Sequence, residues 1–218
     1  MYALIFRRLI TTAAVCVFSA WALVRPAGAE NRLIRIAVLG DSLTAGYGLS
    51  AADAFPAQLE RALRAKGYLV TVANAGVSGD TAAMGLARLS RSISDNTDAV
   101  ILELGANDML RGYEPSSTRR SLAAIVENLE ARHVGVLLCG VRTQPDRGED
   151  YKKAFAEMFV DLANGYNLLF YPAFDDAFVD DARLKLPDGL HPTALGIDAV
   201  VKHILPKVEA LIYRASRH

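Results

Sequence analysis

Five short apolar runs mark the chain, at 34–39, 69–73, 99–104, 134–139 and 167–171. They are rich in Ile, Val and Leu, and none alternates cleanly with polar residues. A strand that is apolar on both sides belongs to a sheet covered on both faces, the usual setting of parallel strands. Between the runs lie segments with helical spacing, at 54–65, 81–92, 117–131 and 151–164, and a last one at 193–213 closes the chain. Pro206 falls inside that last segment and is expected to kink it or split it in two. Strand–helix–strand units with right-handed crossovers predict an α/β fold of three layers, a five-stranded parallel sheet with helices on both faces. The flavodoxin-like order 2-1-3-4-5 is expected. The longest irregular stretches, 142–150 and 172–190, both follow strands and should overhang the carboxyl edge of the sheet.

The N-terminus is read apart. Arg7 and Arg8 precede an apolar run at 9–24, and Ala27-Gly28-Ala29 then supplies a small-residue cleavage site. This reads as a secretory signal peptide over 1–29, with one domain over 30–218. The competing reading, an uncleaved anchor, suffers from a short apolar run. The mature chain would then be periplasmic or secreted, with no membrane span. Full-length charge is balanced at 24 basic and 24 acidic residues, so removing Arg7, Arg8 and Arg25 leaves −3. That balance argues against nucleic acid or an anionic membrane as the main partner. Cys16 would leave with the leader, and Cys139 remains alone in an apolar run, where it reads as a buried thiol.

Four polar segments converge on the carboxyl edge. Gly40-Asp41-Ser42-Leu43 ends the first run, and Asn74–Thr81 is a glycine-rich turn after the second. Leu104-Gly105-Ala106-Asn107-Asp108 follows the third, and Pro187–Pro192 precedes the last helix. Ser42 is thus presented where open α/β sheets bind ligands. A nucleophilic serine needs a base, and His191 is the one histidine on this edge. Asp188 lies three residues before it, a spacing that can set a carboxylate against one ring nitrogen. Pro187-Asp188-Gly189 is also an ordinary turn signature. Candidate oxyanion donors are the N–H groups of Ser42 and Gly79 and the amide of Asn107. Taken singly, Gly79 also reads as a plain turn glycine and Asn107 as a cap.

Together the segments resemble, in order and spacing, the four blocks of the GDSL/SGNH hydrolases. These are Gly40-Asp41-Ser42-Leu43, Gly79-Asp80, Gly105-Ala106-Asn107-Asp108 and Asp188-Gly189-Leu190-His191-Pro192. Ser78-Gly79-Asp80-Thr81, Gly85-Leu86-Ala87-Arg88-Leu89 and Arg111-Gly112 extend the likeness towards the periplasmic arylesterase and acyl-CoA thioesterase I/lysophospholipase branch. The resemblance implies Ser42 as nucleophile, His191 as base and then acid, and Asp188 as its orienter. It implies Ser42, Gly79 and Asn107 as the oxyanion hole, with Asp41, Asp80 and Asp108 holding loops by side-chain-to-backbone bonds.

The implied activity is hydrolysis of carboxylic esters and thioesters, lysophospholipids among them, by a monomer through an acyl-serine. Leu43, Met109, Leu110 and Phe178 are candidates for an acyl pocket, or ordinary packing. Thr143 and Gln144 fall in the loop that covers the acyl chain in such relatives. Their polarity counts against long chains, and Ala106 replaces a second glycine found in some relatives. No metal or cofactor is expected, as there is no His-Glu-x-x-His and no Cys/His cluster. Rival readings are a carbohydrate O-acetylesterase on the same fold and a non-catalytic nucleotide-binding module. The latter lacks the Gly-Lys-Ser/Thr end of a phosphate loop.

Overall fold

A computed structural model describes residues 32–142 and 147–217, so the leader read over 1–29 and the loop positions Thr143 and Gln144 lie outside it. Five strands form one parallel sheet: β1 (Ile34–Gly40), β2 (Val70–Gly76), β3 (Ala99–Glu103), β4 (Gly135–Cys139) and β5 (Leu169–Tyr171). Their order is β2-β1-β3-β4-β5, as the pattern predicts.

The absence of alternation has its reason in the two cores. Along β1, Ile34, Ile36 and Val38 join one core while Ala37 and Leu39 join the other. Strand β3 divides likewise, with Ala99 and Ile101 on one side and Val100 and Leu102 on the other. Both faces are covered, so both sets of positions must be apolar.

Among the described residues, eight α-helices surround the sheet. In chain order they are α1 (Ser42–Ala45), α2 (Phe55–Ala65), α3 (Ala82–Ala87), α4 (Leu89–Ser92), α5 (Ala106–Leu110), α6 (Pro115–Ala131), α7 (Glu149–Gly165) and α8 (Ala194–Ala215). Residues of α2 and α8 fill one core and those of α6 and α7 the other. Helix α8 buries Ile197, Val200, Val201, Ile204, Val208, Leu211 and Ile212, a single stripe at helical spacing.

Three expectations change. Pro206 does not split α8, which runs unbroken through it. The ring is exposed, as is Lys202, whose carbonyl loses its helical donor and can turn to water instead. The helix expected over 81–92 is two short ones, interrupted at Arg88 with φ −108° and ψ 3°. The last strand starts at Leu169, because Asn167 takes a left-handed φ of 50° that ends the preceding helical segment and cannot sit in a ladder.

Candidate active site

Strand β1 ends on Gly40, and the chain turns at once into α1. Only glycine fits there: an added Cβ would lie 2.2 Å from Thr44 Oγ1 and 2.7 Å from the Glu103 carbonyl oxygen. Asp41 caps α1 by accepting the Leu43 N–H at 3.0 Å. Ser42 is then the first helical residue, directed at the carboxyl edge.

Pro187–Pro192 approaches from the other side. Asp188 Oδ1 accepts the N–H groups of Leu190 and His191 at 2.9 and 3.0 Å. Its Oδ2 lies 2.8 Å from His191 Nδ1, and His191 Nε2 lies 2.9 Å from Ser42 Oγ. These bonds hold the Asp188 carboxyl well below the usual range, at about 2, the two backbone N–H groups acting with the imidazole. An ionised carboxylate only accepts, so Nδ1 carries the proton and Nε2 is left to accept from the Ser42 hydroxyl. The Tyr47 ring covers the imidazole, centroid to centroid 4.2 Å at a 32° tilt.

Two of the three oxyanion candidates present open donors. Among the described residues neither the Ser42 N–H nor the Gly79 N–H has a hydrogen-bond acceptor, and both residues line one cavity. Gly79 occupies the third position of a turn closed by the Asp80 N–H on the Val77 carbonyl at 3.1 Å. Its φ of +87° is what calls for glycine here, since nothing lies within 4 Å of an added Cβ. The third candidate is already engaged. Asn107 Nδ2 donates to Asp41 Oδ2 at 3.1 Å and to the Asp80 carbonyl at 3.0 Å.

The three block aspartates do hold loops, partly through side chains. Asp108 accepts the Ala82 N–H and the Thr118 hydroxyl, and Asp80 pairs with Arg88. Asp41 is wholly buried. Burial pushes its carboxyl up to about 6, against the opposing pull of the Leu43 N–H.

One group on this edge escaped the sequence reading. Glu103 is 1% exposed, stands opposite Gly40 in the sheet, and accepts the Asp41 N–H at 3.3 Å. Burial and then the Asp41 charge push its carboxyl well above the usual range. Its signal was available: an acid closing a fully buried apolar strand is rarely there without a partner.

The cavity beside Ser42 measures about 490 Å³. Leu43, Met109, Leu110, Val141, Val179 and Leu190 supply its apolar wall, and Arg142, Asp175 and Asp180 a polar one. Arg142 Nη1 binds Asp180 at 2.8 Å, and the Arg142 N–H binds Asp175 Oδ1 at 3.1 Å. Of the four candidates for an acyl pocket, Leu43, Met109 and Leu110 line this cavity. Phe178 does not: it is 1% exposed and packed in the core with Phe55 and Phe174, while the next residue, Val179, faces the cavity. The larger ring gains more by complete burial.

Such a site can move a proton from a serine hydroxyl to an imidazole and bind a developing oxyanion beside an apolar cleft. Residues 38–199 match the model of the GDSL-like lipase/acylhydrolase family. The chain belongs to that family. It is a serine esterase of the GDSL type. It is 35% identical to an arylesterase of Vibrio mimicus, over 72% of this chain and 80% of that one. It is 36% identical to the thioesterase 1/protease 1/lysophospholipase L1 of Escherichia coli, over 77% of this chain and 78% of that one. The crystal structure of TesA superposes with a TM-score of 0.77 at 31% identity, covering 81% of this chain and 99% of TesA.

Proposed function

We propose that Ser42, His191 and Asp188 form the catalytic relay of an esterase for small carboxylic esters and thioesters, with no cofactor. The observation that carries this is the unbroken chain of contacts from Asp188 through His191 to Ser42, at 2.8 and 2.9 Å, at the mouth of an apolar cavity. Ser42 Oγ attacks the carbonyl carbon while His191 Nε2 takes its proton. The carbonyl oxygen becomes an oxyanion held by the Ser42 and Gly79 N–H groups. Asn107 adds a third bond by sharing a hydrogen now given to Asp41 or Asp80. Collapse expels the alcohol or thiol, which takes the proton back from His191. Water then attacks the acyl-Ser42 with His191 again as base, and the acid leaves as His191 returns that proton to Ser42 Oγ.

Leu43, Met109, Leu110, Val141 and Val179 receive the acyl group. Asp175, Asp180 and Arg142 bound that apolar wall with charge, which favours short and medium chains over palmitoyl. The names of the two curated relatives, an arylesterase and a thioesterase/lysophospholipase, support esters and thioesters alike, with lysophospholipid as one substrate. Residues 1–29 are read as a signal peptide, so the mature enzyme works in the periplasm or outside the cell, as a monomer whose relay comes from one chain. Among the described residues no helix is long and apolar enough to cross a membrane.

The test is hydrolysis of p-nitrophenyl esters from acetyl to palmitoyl, and of palmitoyl-CoA, by the enzyme and by Ser42→Ala. Activity abolished in Ser42→Ala, with rates highest at short and medium chains, is the expected result. Activity intact in Ser42→Ala would overturn the assignment of the nucleophile.

A further inference from the structure

Arg88 stands in Gly85–Leu89, a stretch with no task in the reaction above. It carries a full charge yet is only 5% exposed. The helix expected over 81–92 breaks at this residue. Its guanidinium makes four hydrogen bonds. Nε donates to Asp80 Oδ2 at 2.5 Å, and Nη1 donates to the Ala75 carbonyl at 2.7 Å and to Ser92 Oγ at 3.1 Å. Nη2 donates to the Gly40 carbonyl at 3.1 Å.

Three of those bonds lead to segments that carry the oxyanion donors. Gly40 lies two residues before Ser42, and its carbonyl also accepts the Val77 N–H at 3.0 Å. Ala75 is in the end of β2 that feeds the turn over 77–80. Asp80 closes that turn one residue after Gly79, and its carbonyl accepts the Asn107 amide at 3.0 Å. The four bonds radiate from one plane, which a guanidinium can supply and an ammonium cannot. As a source of stability such a buried pair is poor, because desolvation offsets the attraction. As a source of fixed geometry it is strong.

We propose that Arg88 is a positioning residue for the oxyanion hole. It locks the Gly79 turn and, through Asp80, the Asn107 amide against the end of the strand that presents Ser42. This rests on the reading of Ser42, Gly79 and Asn107 given above. Loss of the fork loosens where the donors point without removing any of them. The defect therefore falls on the tetrahedral intermediate and spares the bound ester.

The test is Arg88→Lys, which keeps the charge facing Asp80 and loses the fork. The readouts are kcat and KM for p-nitrophenyl butyrate, and Ki for a trifluoromethyl ketone that forms a tetrahedral adduct with serine. A thermal melt confirms folding. The expected result is a kcat lower by about 10- to 1000-fold, KM within about threefold, and Ki weakened in proportion to kcat. If Arg88→Lys gives no cooperative melt, Asp80→Asn is read in its place. That variant keeps size and an acceptor for Nε, and a smaller fall of the same pattern is expected. A folded variant with kcat within twofold of the parent, or a fall in kcat with Ki unmoved, overturns the proposal. Labelling of Ser42 by a fluorophosphonate separates the two readings. Labelled Ser42 with an unaffected Arg88→Lys removes only the inference, whereas no label and an active Ser42→Ala removes the reading beneath it.

Discussion

Replacing Asp188 by Asn tests the relay where its geometry is most explicit. Asp188 uses one oxygen for two backbone N–H groups and the other for His191 Nδ1. Asn has a single oxygen and must choose. With that oxygen on the Leu190 and His191 N–H groups, its NH₂ faces Nδ1. Nδ1 must then accept, Nε2 carries the proton, and His191 donates to Ser42 instead of receiving from it. With the oxygen on Nδ1, the NH₂ confronts two backbone donors, and the bonds to the Leu190 and His191 N–H groups are both lost. The first arrangement sacrifices less, so the wrong tautomer prevails. The expected consequence is a fall in kcat of about 10⁴, or about 5 kcal/mol of transition-state stabilisation. KM should stay within about threefold, since no contact to the acyl pocket changes. Asp188 is an exposed side chain, so the melting temperature should hardly move. The assay is kcat and KM on p-nitrophenyl butyrate with a thermal melt of the same sample. An Asp188→Asn enzyme that melts like the parent and keeps more than about a tenth of its kcat/KM would refute the reasoning.

Three other outcomes follow from the same geometry. Asn107→Ala removes an oxyanion donor and should cost about 10²–10³ in kcat with little change in KM, measured on the same ester. Stability should fall as pH rises from about 4 to 6. The folded Asp41 carboxyl is raised from 3.8 to about 6, so the native state binds the extra proton, and stability present below 3.8 is lost as pH passes through 6, by about 3 kcal/mol. Urea melts of the parent should therefore show a decline in that window that Asp41→Asn lacks, and parallel curves would count against it. Burial pushes the Cys139 thiol up and leaves it 1% exposed, so Ellman's reagent should react with the protein only after it unfolds.

The sheet was legible because burial on two faces writes itself into sequence as apolar runs without alternation. The site was legible because its parts are short polar blocks that end such runs. What escaped depends on contacts across the fold. The break at Arg88 follows from carbonyls of Gly40 and Ala75 that no local pattern announces, and helical spacing alone predicted continuity. The short helices α1 and α5 span barely a turn, too little for periodicity to register. Phe178 and Val179 lie in an irregular stretch, where nothing in the sequence says which of two neighbours faces inward. Size and burial decided it. Glu103 was visible as an acid in an apolar run, yet its partner, the Asp41 amide, comes from the neighbouring strand's end.

Two aspartates lie in the segments that carry Ser42 and His191, and the three-residue spacing to His191 already points to Asp188. Asp41 adjoins Ser42, while Asp188 lies three residues before the histidine. Their surroundings separate them. Asp41 is buried, its oxygens occupied by the Leu43 N–H and the Asn107 amide, and its carboxyl is raised towards the neutral form. Asp188 is exposed and holds its charge through two backbone N–H groups besides the imidazole. Stabilising an imidazolium as it forms requires a carboxylate that is charged beforehand and stays charged as the proton arrives. A carboxyl near 6 would share its proton with the solvent in mildly acidic medium, and one near 2 would not. Opposite environments acting on identical side chains therefore divide the work, as in other sites with paired acids. In the proposed relay, Asp41 then sets the turn that presents Ser42, and Asp188 sets the tautomer of the base that activates it.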